Sequence, residues 1–402
     1  MKTGILRNAV ILGLLSAIGP FAIDMYLPSL PSIGKSLGAD TGAVQMSLMV
    51  FFIALGVGQL VYGPAADMFG RKAPLYVGLA LFAAGSVGCA LAPSIDFLIA
   101  FRFVQGLGAC AGMVVPRAIV RDMHTGVAAA RLMSLLMLVF SISPILAPLT
   151  GSLVIAAAGW RAVFWVVLAA SLIGIVMLAT LLHETRPRSE REGSTVKAAL
   201  AAYPLLLSDR NFLGLTFIGA FGISSFFAYL ANSPFVLIEH YGLSPTEYSF
   251  FFSINAASFF AVAQLSGHLA TRYGLARVVQ VAVMLYAAVM LLLLGLFAIG
   301  IDSLALLASL LFVGYGCLGL VIPTTAVLAL EEHGAVAGTA SSLMGTLQFV
   351  VGAVVMLVVG HFVDGTALPM VAGIAGCAAI ALILALVTLR PSREVLREAP
   401  AE

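Results

Sequence analysis

The sequence contains few charged residues. Asp, Glu, Lys and Arg make up 9% of its 402 positions, whereas hydrophobic residues make up 61%. In soluble globular proteins about 25% of the residues are charged, so a chain of this composition cannot cover a water-facing surface. The net charge of +2 provides no basic patch of the kind that nucleic acid requires. The composition therefore excludes a soluble globular protein and indicates one that crosses a membrane several times.

Residue patterns for disulfide, metal and nucleotide chemistry are also missing. The four cysteines are Cys89, Cys110, Cys317 and Cys377. They form no CxxC pair, and the six histidines are scattered without ligand spacing, so we predict no disulfide framework, metal site or enzyme activity. The sequence has no G-x-x-x-x-G-K-S/T loop for ATP and no filter-like element of a channel. We therefore expect no cofactor.

Long apolar runs make up most of the chain. About 20 predominantly apolar residues span a bilayer, and the sequence has twelve such runs. The predicted spans are 8–31, 43–66, 73–92, 95–118, 131–157, 160–183, 211–235, 247–270, 276–299, 302–328, 335–362 and 368–389. The first run lacks a clear A-x-A cleavage site, so we predict that it is retained as a helix. The expected fold is an all-α membrane protein with twelve transmembrane helices.

A polar segment near the middle of the chain divides the spans into six and six. It begins with HETRPRSEREGSTVK at His183 and extends to about Arg210. We predict an N-terminal six-helix bundle over 1–183, a cytoplasmic linker over 184–210, a C-terminal six-helix bundle over 211–390 and a cytoplasmic tail over 391–402. If the N-terminus is cytoplasmic, only Lys35 and Arg161 fall on the opposite side. This bias of Lys and Arg predicts that both termini are cytoplasmic.

The two halves of the sequence repeat similar motifs. GPAADMFGRK begins at Gly63, and GHLATRYGLAR begins at Gly267, 204 positions later. YLPSLP at Tyr26 similarly corresponds to YLANSP at Tyr229. Weak internal symmetry between two six-helix halves is typical of alternating-access transporters, whose substrate site lies between the halves near the bilayer midplane.

The stretch GPAADMFGRKAPL, which begins at Gly63, joins the second and third spans. Its glycines permit a tight turn and a close approach of helices, while its acidic and basic residues place opposite charges in one short loop. Such charges can pair in one conformation and separate in another. We therefore predict a cytoplasmic gating loop formed by Gly63, Asp67, Gly70, Arg71 and Lys72. The alternative is that its cations only set the topology.

This stretch resembles the loop signature of the major facilitator superfamily, G-x-L-A-D-r-x-G-r-k-x-x-l. The matching residues are Gly63, Asp67, Gly70, Arg71, Lys72 and Leu75. Ala65 stands in place of the usual Leu, and Met68 stands in place of the usual basic residue. The resemblance implies the two-bundle, twelve-helix fold of that superfamily, while Met68 removes one charge contact from the loop.

The fourth span carries a cation inside its apolar run, in FRFVQGLGACAGMVVP. Arg102 and Gly106 resemble the R-x-x-x-G pattern that the superfamily has in this helix. Ala109 and Pro116 share their helix face by spacing. Two interpretations of Arg102 are open: a guanidinium buried toward the cavity, or a side chain that extends to the outer membrane surface.

The fifth span contains SISPILAPLTGSL, which resembles a proline- and glycine-rich pattern associated with antiporters of the superfamily. Pro148 and Gly151 match that pattern, while Ala147 and Ser152 stand where glycines are usual. Pro144, Pro148 and Gly151 fall on one helix face. We therefore expect a kinkable antiporter-type helix that packs closely against a neighbour.

Four motifs together resemble the bicyclomycin-resistance branch of the drug:proton antiporters. They are DMYLPSLP in the first span, RFVQGLGA in the fourth, APLTG in the fifth and HETRP after the sixth. The resemblance implies a multidrug exporter of the bacterial inner membrane that exchanges a small-molecule substrate for protons. We also expect the chain to function as a monomer. The alternative on the same fold is a specific exporter or importer of a metabolite, such as a sugar, an amino-acid derivative or a siderophore.

Asp24 is the acidic residue that we place well inside a span. A charged side chain at the centre of a bilayer costs about 2.5–3.5 kcal/mol on insertion scales. Ala17, Pro20 and Pro28 share its helix face by spacing, so we expect the carboxylate to face the interior. There it could exchange a proton for a cationic drug. The alternative is a structural carboxylate that pairs with Arg102 or ends a broken helix near Pro28.

Polar side chains in other apolar runs complete the predicted site. We assign Asp24 and Arg102 to proton and substrate coupling. The predicted residues of the substrate cavity are Tyr26, Gln105, Tyr229, Asn232 and Asn255. Tyr26 and Tyr229 occupy corresponding positions in the repeat, so the predicted site draws residues from both halves.

Overall fold

The computed structural model describes residues 2–124, 126–191, 201, 203–333 and 336–389. Within these residues, twelve helices are long and apolar enough to cross a membrane, which confirms the predicted all-α fold with twelve spans. The spanning helices are α1 (Lys2–Asp24), α2 (Thr41–Phe69), α3 (Lys72–Ala90), α4 (Ile95–Met123), α5 (Gly126–Ala158), α6 (Arg161–Thr180), α7 (Arg210–Pro234), α8 (Pro245–Ala263), α9 (Leu275–Ala298), α10 (Leu304–Glu331), α11 (Ala337–His361) and α12 (Leu368–Thr388). The predicted tail and residues 192–200 of the predicted linker lie outside the described residues.

The first span is broken rather than continuous. α1 ends at Asp24, a turn and the 3-10 segment Leu27–Ser29 follow, and the short helix Leu30–Leu37 completes the crossing. Pro28 and Pro31 favour this break, because proline has no backbone N–H to donate and restricts the residue before it. The break places Asp24 at a helix end.

The loop between α2 and α3 consists of Gly70 and Arg71 alone, because α2 continues past its predicted end at residue 66 to Phe69 and α3 begins at Lys72. Gly70 adopts a φ of +86°, and Gly274 before α9 adopts a φ of +81°. These glycines are 204 positions apart, so the internal repeat extends to the backbone conformation. We call the end of the helices at Gly70 the signature end, and the end at the start of α2 the opposite end.

The helices pack in two similar groups. In the first half, α4 packs against α2 and α3, and α1 packs against α5. In the second half, α10 packs against α8 and α9 in the same way, and α7 packs against α11 and α12. The division of the chain into two bundles remains a prediction, and this packing supports it.

The two halves meet along two pairs of helices, α2 with α11 and α5 with α8. On the first pair, Thr346 Oγ1 donates to the carbonyl oxygen of Gly56 at 2.9 Å. On the second pair, Ser249 Oγ donates to the carbonyl oxygen of Pro148 at 2.9 Å. In the repeat, α2 corresponds to α8 and α5 corresponds to α11, so the two pairs are equivalent. The contact surface between the halves therefore follows the same pseudosymmetry as the sequence.

Candidate transport site

Asp24 is the last residue of α1, and its side chain is buried. Only 4% of the residue is exposed, and its carboxylate forms no hydrogen bond or ion pair with another described residue. The 3-10 segment Leu27–Ser29 that follows Asp24 packs against α7 and α8 of the second half. Burial and the negative end of the α1 dipole both act against a lone negative charge at this position. A proton or a cation would relieve that charge.

Arg102 of α4 is fully buried, with 0% of the residue exposed. Its guanidinium carbon lies 4.4 Å from the centre of the Tyr26 ring and 4.2 Å from that of Phe51, an arrangement that stabilises a cation. Its Nη1 donates to the Ala22 carbonyl oxygen at 3.3 Å and to Gln105 Oε1 at 2.7 Å. The side chain therefore does not extend to the membrane surface, and that interpretation of Arg102 is wrong.

Gln105 and Tyr26 extend this arrangement through two serines. Gln105 Nε2 donates to Ser86 Oγ at 2.8 Å, and the Tyr26 hydroxyl lies 2.6 Å from Ser47 Oγ. Sequence reasoning missed both serines, since a lone serine in an apolar helix usually bonds only its own backbone. Nε and Nη2 of Arg102 have no hydrogen-bond partner among the described residues. We call Arg102, Gln105, Tyr26, Ser47 and Ser86 the Arg102 cluster.

Arg102 and Asp24 do not form an ion pair within the part of the chain that the structure describes. The guanidinium instead bonds the carbonyl oxygen of Ala22, two positions before Asp24 on α1. The proposed alternative of a neutralising Arg102 therefore does not match this conformation, whereas the helix break at Asp24 does. The Asp24 carboxylate and the Arg102 guanidinium are thus both buried near the end of α1, and they do not pair with one another.

The polar residues of the second half lie in an aromatic cluster. Asn255 Nδ2 donates to the Tyr229 hydroxyl at 3.2 Å. The Tyr229 ring stacks on Phe252, with centroids 5.9 Å apart and 12° between the ring planes, and lies 5.5 Å from Tyr315. These four residues are buried and uncharged. We call them the aromatic cluster, which combines apolar faces with a few polar atoms.

Asn232 does not join this cluster. It lies one turn further along α7, where its Oδ1 accepts a hydrogen bond from Gln45 Nε2 of α2 at 2.9 Å. Three aromatic rings from α2, α7 and α11 stack with centroids 4.3 to 5.7 Å apart: Phe52, Phe227 and Phe349. These contacts join the halves. The sequence offered no signal for them, because Gln45 resembles any polar residue near the start of a span.

The predicted gating loop holds a buried arginine. Arg71 is 4% exposed, its Nη1 donates to Asp67 at 2.8 Å, and its Nε donates to Asp122 at 2.6 Å. Burial alone would lower the pKa of Arg71, but the hydrogen bonds to Asp122 and Asp67 raise it above its ordinary value. Gly63 faces Ser342 of α11. Asp67 and Arg71 are thus paired within the first half, and Asp122 is a partner that the loop sequence did not reveal.

The HETRP segment after α6 packs on this loop. Glu184 accepts hydrogen bonds from the backbone N–H groups of Arg71 at 2.8 Å and Lys72 at 3.2 Å, and so caps the first turn of α3. Burial alone would raise the pKa of Glu184, but these backbone donors lower it below its ordinary value. Arg186 Nη1 donates to Asp67 at 3.0 Å. The first residues of the predicted linker are therefore part of the loop structure.

Pro148 and Gly151 of α5 lie at the border of the two halves. The Pro148 carbonyl oxygen accepts a hydrogen bond from α8. A Cβ at position 151 would overlap the backbone of Met25, the residue after Asp24, so Gly151 permits α5 to approach the break in the first span. Pro144 lies one turn before Pro148. The kinking role of this helix remains a prediction.

Two similar groups of helices, with buried polar residues where they meet, define a membrane transporter of the two-bundle type. The family model of the Major Facilitator Superfamily matches residues 12–356 of the chain. The chain therefore belongs to the major facilitator superfamily. Because this is a family of membrane transporters, membership confirms that the chain is a transporter of small molecules and not an enzyme.

Known proteins align with nearly the whole chain. The uncharacterized MFS-type transporter YdgK of Bacillus subtilis is 37% identical over 371 residues and 91% of each chain. A bicyclomycin resistance protein homolog of Haemophilus influenzae is 30% identical and covers 92% of this chain and 93% of its own. The multidrug resistance protein MdtL of Klebsiella pneumoniae is 29% identical over the same shares. These relatives confirm the resemblance to the bicyclomycin-resistance branch.

Solved structures share the fold at low sequence identity. A partially occluded inward-open structure of the xylose transporter XylE from E. coli has a TM-score of 0.73 and 13% identity, and covers 97% of this chain and 98% of its own. A structure of the nucleoside transporter NupG has a TM-score of 0.73 and 16% identity, and covers 96% of this chain and all of its own. These similarities concern the fold alone.

Proposed function

We propose that this chain is a proton-coupled antiporter that exports drugs or other small amphipathic compounds. It belongs to a transporter family, and full-length relatives are named for bicyclomycin resistance and multidrug resistance. The observation that carries the proposal is Asp24. It is a buried carboxylate, without a counter-charge among the described residues, at the break of the first span and next to the second half.

Exchange requires that a proton and a substrate exclude one another at one site. Protonated Asp24 is neutral and suits its apolar surroundings, whereas ionised Asp24 attracts a cationic compound. When the site opens outward, Asp24 binds a proton and the compound leaves. When the site opens inward, Asp24 releases the proton and binds the next compound. Rocking of the halves along α2–α11 and α5–α8 changes the side that is open.

In our proposal, the Arg102 cluster shifts the balance between the ionised and the protonated form of Asp24. A cation near a carboxylate favours its ionised form and so opposes the effect of burial. Tyr26 and Phe51 hold the guanidinium, while its Nε and Nη2 have no partner among the described residues. A shift of α1 against α4 as the site changes from one open state to the other would bring Asp24 to these donors. The charge of Asp24 is then coupled to the conformation of the halves.

The aromatic cluster supplies the apolar part of the proposed substrate site. Stacked rings bind flat or apolar groups without a demand for one shape, and Asn255 and Gln105 provide neutral hydrogen-bonding atoms. Binding sites of this composition, mostly apolar with a few polar groups, accept small molecules. Such a surface is compatible with a broad range of compounds.

We further propose a bacterial inner-membrane location with both termini cytoplasmic and a monomeric active form. The concentration of Lys and Arg at the signature end supports this orientation. The opposite end then faces outward, and there Gln45 contacts Asn232 and Lys35 Nζ lies 3.6 Å from the Glu239 carboxylate. The site lies between two halves of a single chain, so one chain suffices to build it.

Asp24→Asn tests the proposal, since it keeps the shape of the side chain and removes the ionisable group. Wild type and variant are expressed at matched membrane levels in a bacterium that lacks its major efflux pumps. Growth inhibition is scored with bicyclomycin, chloramphenicol, sulfonamides and cationic dyes. Asp96→Asn, at an exposed position in the first turn of α4, is the matched control.

We expect wild type and Asp96→Asn to protect against several compounds and Asp24→Asn to protect against none. Drug-driven proton release from everted vesicles should be lost in Asp24→Asn as well. Retained coupling in Asp24→Asn would refute the role of this carboxylate. Absence of protection by wild type would instead favour transport of a specific metabolite on the same fold.

A further inference from the structure

A cavity of about 690 Å³ lies at the opposite end of the molecule. The start of α2, the end of α7 and the connection from α11 to α12 line it, so both halves contribute. Its volume lies within the range of about 300–1,000 Å³ that is usual for small-molecule sites. Asn232 forms part of the wall. Because Tyr229 lies one turn deeper on α7, the cavity is separate from the aromatic cluster.

The wall of this cavity is acidic. Asp40 and Glu239 line it, and so does His240, whose Nε2 lies 2.6 Å from the Asp302 carboxylate. Lys35 Nζ approaches Glu239 at 3.6 Å, but its side chain is 76% exposed, so water weakens that interaction. The carboxylates of Asp40 and Glu239 thus line the cavity, which favours a positive ligand.

A second cavity of about 220 Å³ continues from the first and shares part of its wall, including Gly360. We call it the methionine chamber, after its lining residues Met46, Met49 and Met356. Methionine is flexible and polarizable, so it adapts to irregular apolar partners. Met46 and Leu357, which also lines the chamber, are 39% and 55% exposed. The chamber therefore opens on the side surface of the helices, which would face lipid.

Gln45 presents an unused hydrogen-bond acceptor at the junction of the two cavities. The residue is 4% exposed and lines the methionine chamber. Its Nε2 is bonded to Asn232, whereas its Oε1 has no partner among the described residues. That oxygen lies 2.8 Å from the place that a Cβ on Gly360 would take. A buried acceptor without a donor is costly, so the site favours a ligand that supplies an N–H or O–H group.

We infer that the two connected cavities form a binding site for amphipathic organic cations, distinct from the site at Asp24. The cationic group lies between Asp40 and Glu239, and the apolar part enters the methionine chamber. An anion would meet the carboxylates of Asp40 and Glu239, and a metal ion would leave the apolar chamber empty. The inference does not depend on the proposed export, because it concerns binding at the opposite end alone.

Cysteine labelling in lipid nanodiscs tests this site in the full-length protein. Val363 lines the cavity and is half-buried, so Val363→Cys reports on its interior. Ala158→Cys, at the exposed end of α5, is the control. Each variant is labelled with a cationic and an anionic methanethiosulfonate reagent, with the parent protein as the blank. We expect the cationic reagent to be preferred at least about tenfold more at Val363→Cys than at the control.

Tetraphenylphosphonium, a lipophilic cation, should slow labelling at Val363→Cys and not at Ala158→Cys. Equal preference at both positions, or no protection by this cation, would overturn the inference. Protection should persist in Asp24→Asn. If Asp24→Asn loses it, the cation acts through the deeper site, and the outer site is refuted whatever the outcome for export.

Charge variants identify the groups that bind the cation. Asp40→Asn keeps the helix cap, since Asn caps as well as Asp, and Glu239→Gln keeps the side-chain length. The double variant should lose both the reagent preference and the protection. Lys35→Gln breaks the same ion pair but leaves both carboxylates, so it should keep both properties. Loss of protection in Lys35→Gln would show that the ion pair, and not the acidic wall, is responsible.

Discussion

The two halves share a backbone plan but differ in the chemistry of their interiors. The first half buries Asp24 and Arg102, together with a network of neutral polar groups. The second half buries tyrosines, phenylalanines and Asn255 at the corresponding depth, without a charge among these residues. The first half therefore suits proton chemistry, and the second suits an apolar substrate.

The loops at the signature end differ in the same way. Gly70 and Gly274 both adopt positive φ, so the turn is repeated. At the positions that correspond to Asp67 and Arg71, however, the second half has Thr271 and Leu275. Duplication of a fold thus preserves backbone geometry where glycine is required, while charged side chains can be kept in one copy alone.

We expect the largest effects from two variants that each change a buried residue in one of the two halves. Arg102→Met should abolish transport, because it removes the buried cation, and it should also lower the melting temperature, since Gln105 Oε1 is left buried without its donor. Tyr229→Phe should keep transport at a reduced rate but cost about 1–3 kcal/mol of stability, since Asn255 loses its acceptor. Dye efflux measures transport, and thermal unfolding measures stability, for both variants. The reverse pattern would contradict the division of roles between the halves.

A second pair of variants compares the two turns. Gly70→Ala and Gly274→Ala each force a side chain into a backbone conformation that costs about 1–3 kcal/mol. At position 70 the new Cβ would also overlap Arg191 and Glu184, whereas at position 274 it meets nothing within 4 Å. Gly70→Ala should therefore lower the melting temperature and transport more than Gly274→Ala does. Equal effects would mean that the packing on Gly70 is unimportant.

A third prediction concerns pH and the cap on α3. The pKa of Glu184 is lowered in the folded protein, so its stabilisation is present above the unfolded value of about 4.3 and is lost as pH falls through the folded pKa. Glu184→Gln should cost about 1 kcal/mol at neutral pH and almost nothing in acid. Thermal unfolding from pH 7 down to about pH 2 measures this, because the loss begins only below the unfolded value of about 4.3. Glu332→Gln, at the exposed end of α10, serves as the control and should change the melting temperature little at neutral pH.

We expect the smallest effect on the melting temperature from a change to the exposed ion pair between the two halves. Lys35 and Glu239 have side chains that are 76% and 41% exposed, and exposed pairs contribute less than about 1 kcal/mol. Lys35→Gln should barely change the melting temperature. Gln45→Leu, which removes a buried hydrogen bond between the halves, should change it more. A larger loss in Lys35→Gln would show that surface charge joins the halves.

The spans were predictable because the length of an apolar run is set by the thickness of the bilayer. The residues at which the spans end were less predictable. The prediction ended the second span at residue 66, whereas α2 continues to Phe69, since a helix can extend past the apolar region while its backbone bonds are satisfied internally. The break at Asp24 was among the alternatives because Pro28 and Pro31 mark it locally.

The site was predictable in its members but not in its contacts. Asp24 and Arg102 stand out in any apolar run, since a buried charge is rare. Ser86, Ser47 and Asp122 do not, because many such residues bond only to neighbours in the chain or to water. Their roles depend on partners in other helices.

By itself, the sequence determined the number of membrane helices, the repeat of two halves and the glycine turn, and it offered the break near Asp24 as one alternative. These features follow from hydropathy and from the backbone limits of glycine and proline, which act locally along the chain. Tertiary structure alone decided that Arg102 bonds Ala22, 80 positions away, and that Gln45 meets Asn232 across 187 positions. Side chains that far apart in sequence are brought together only when helices pack, and packing depends on the shape of every surface involved.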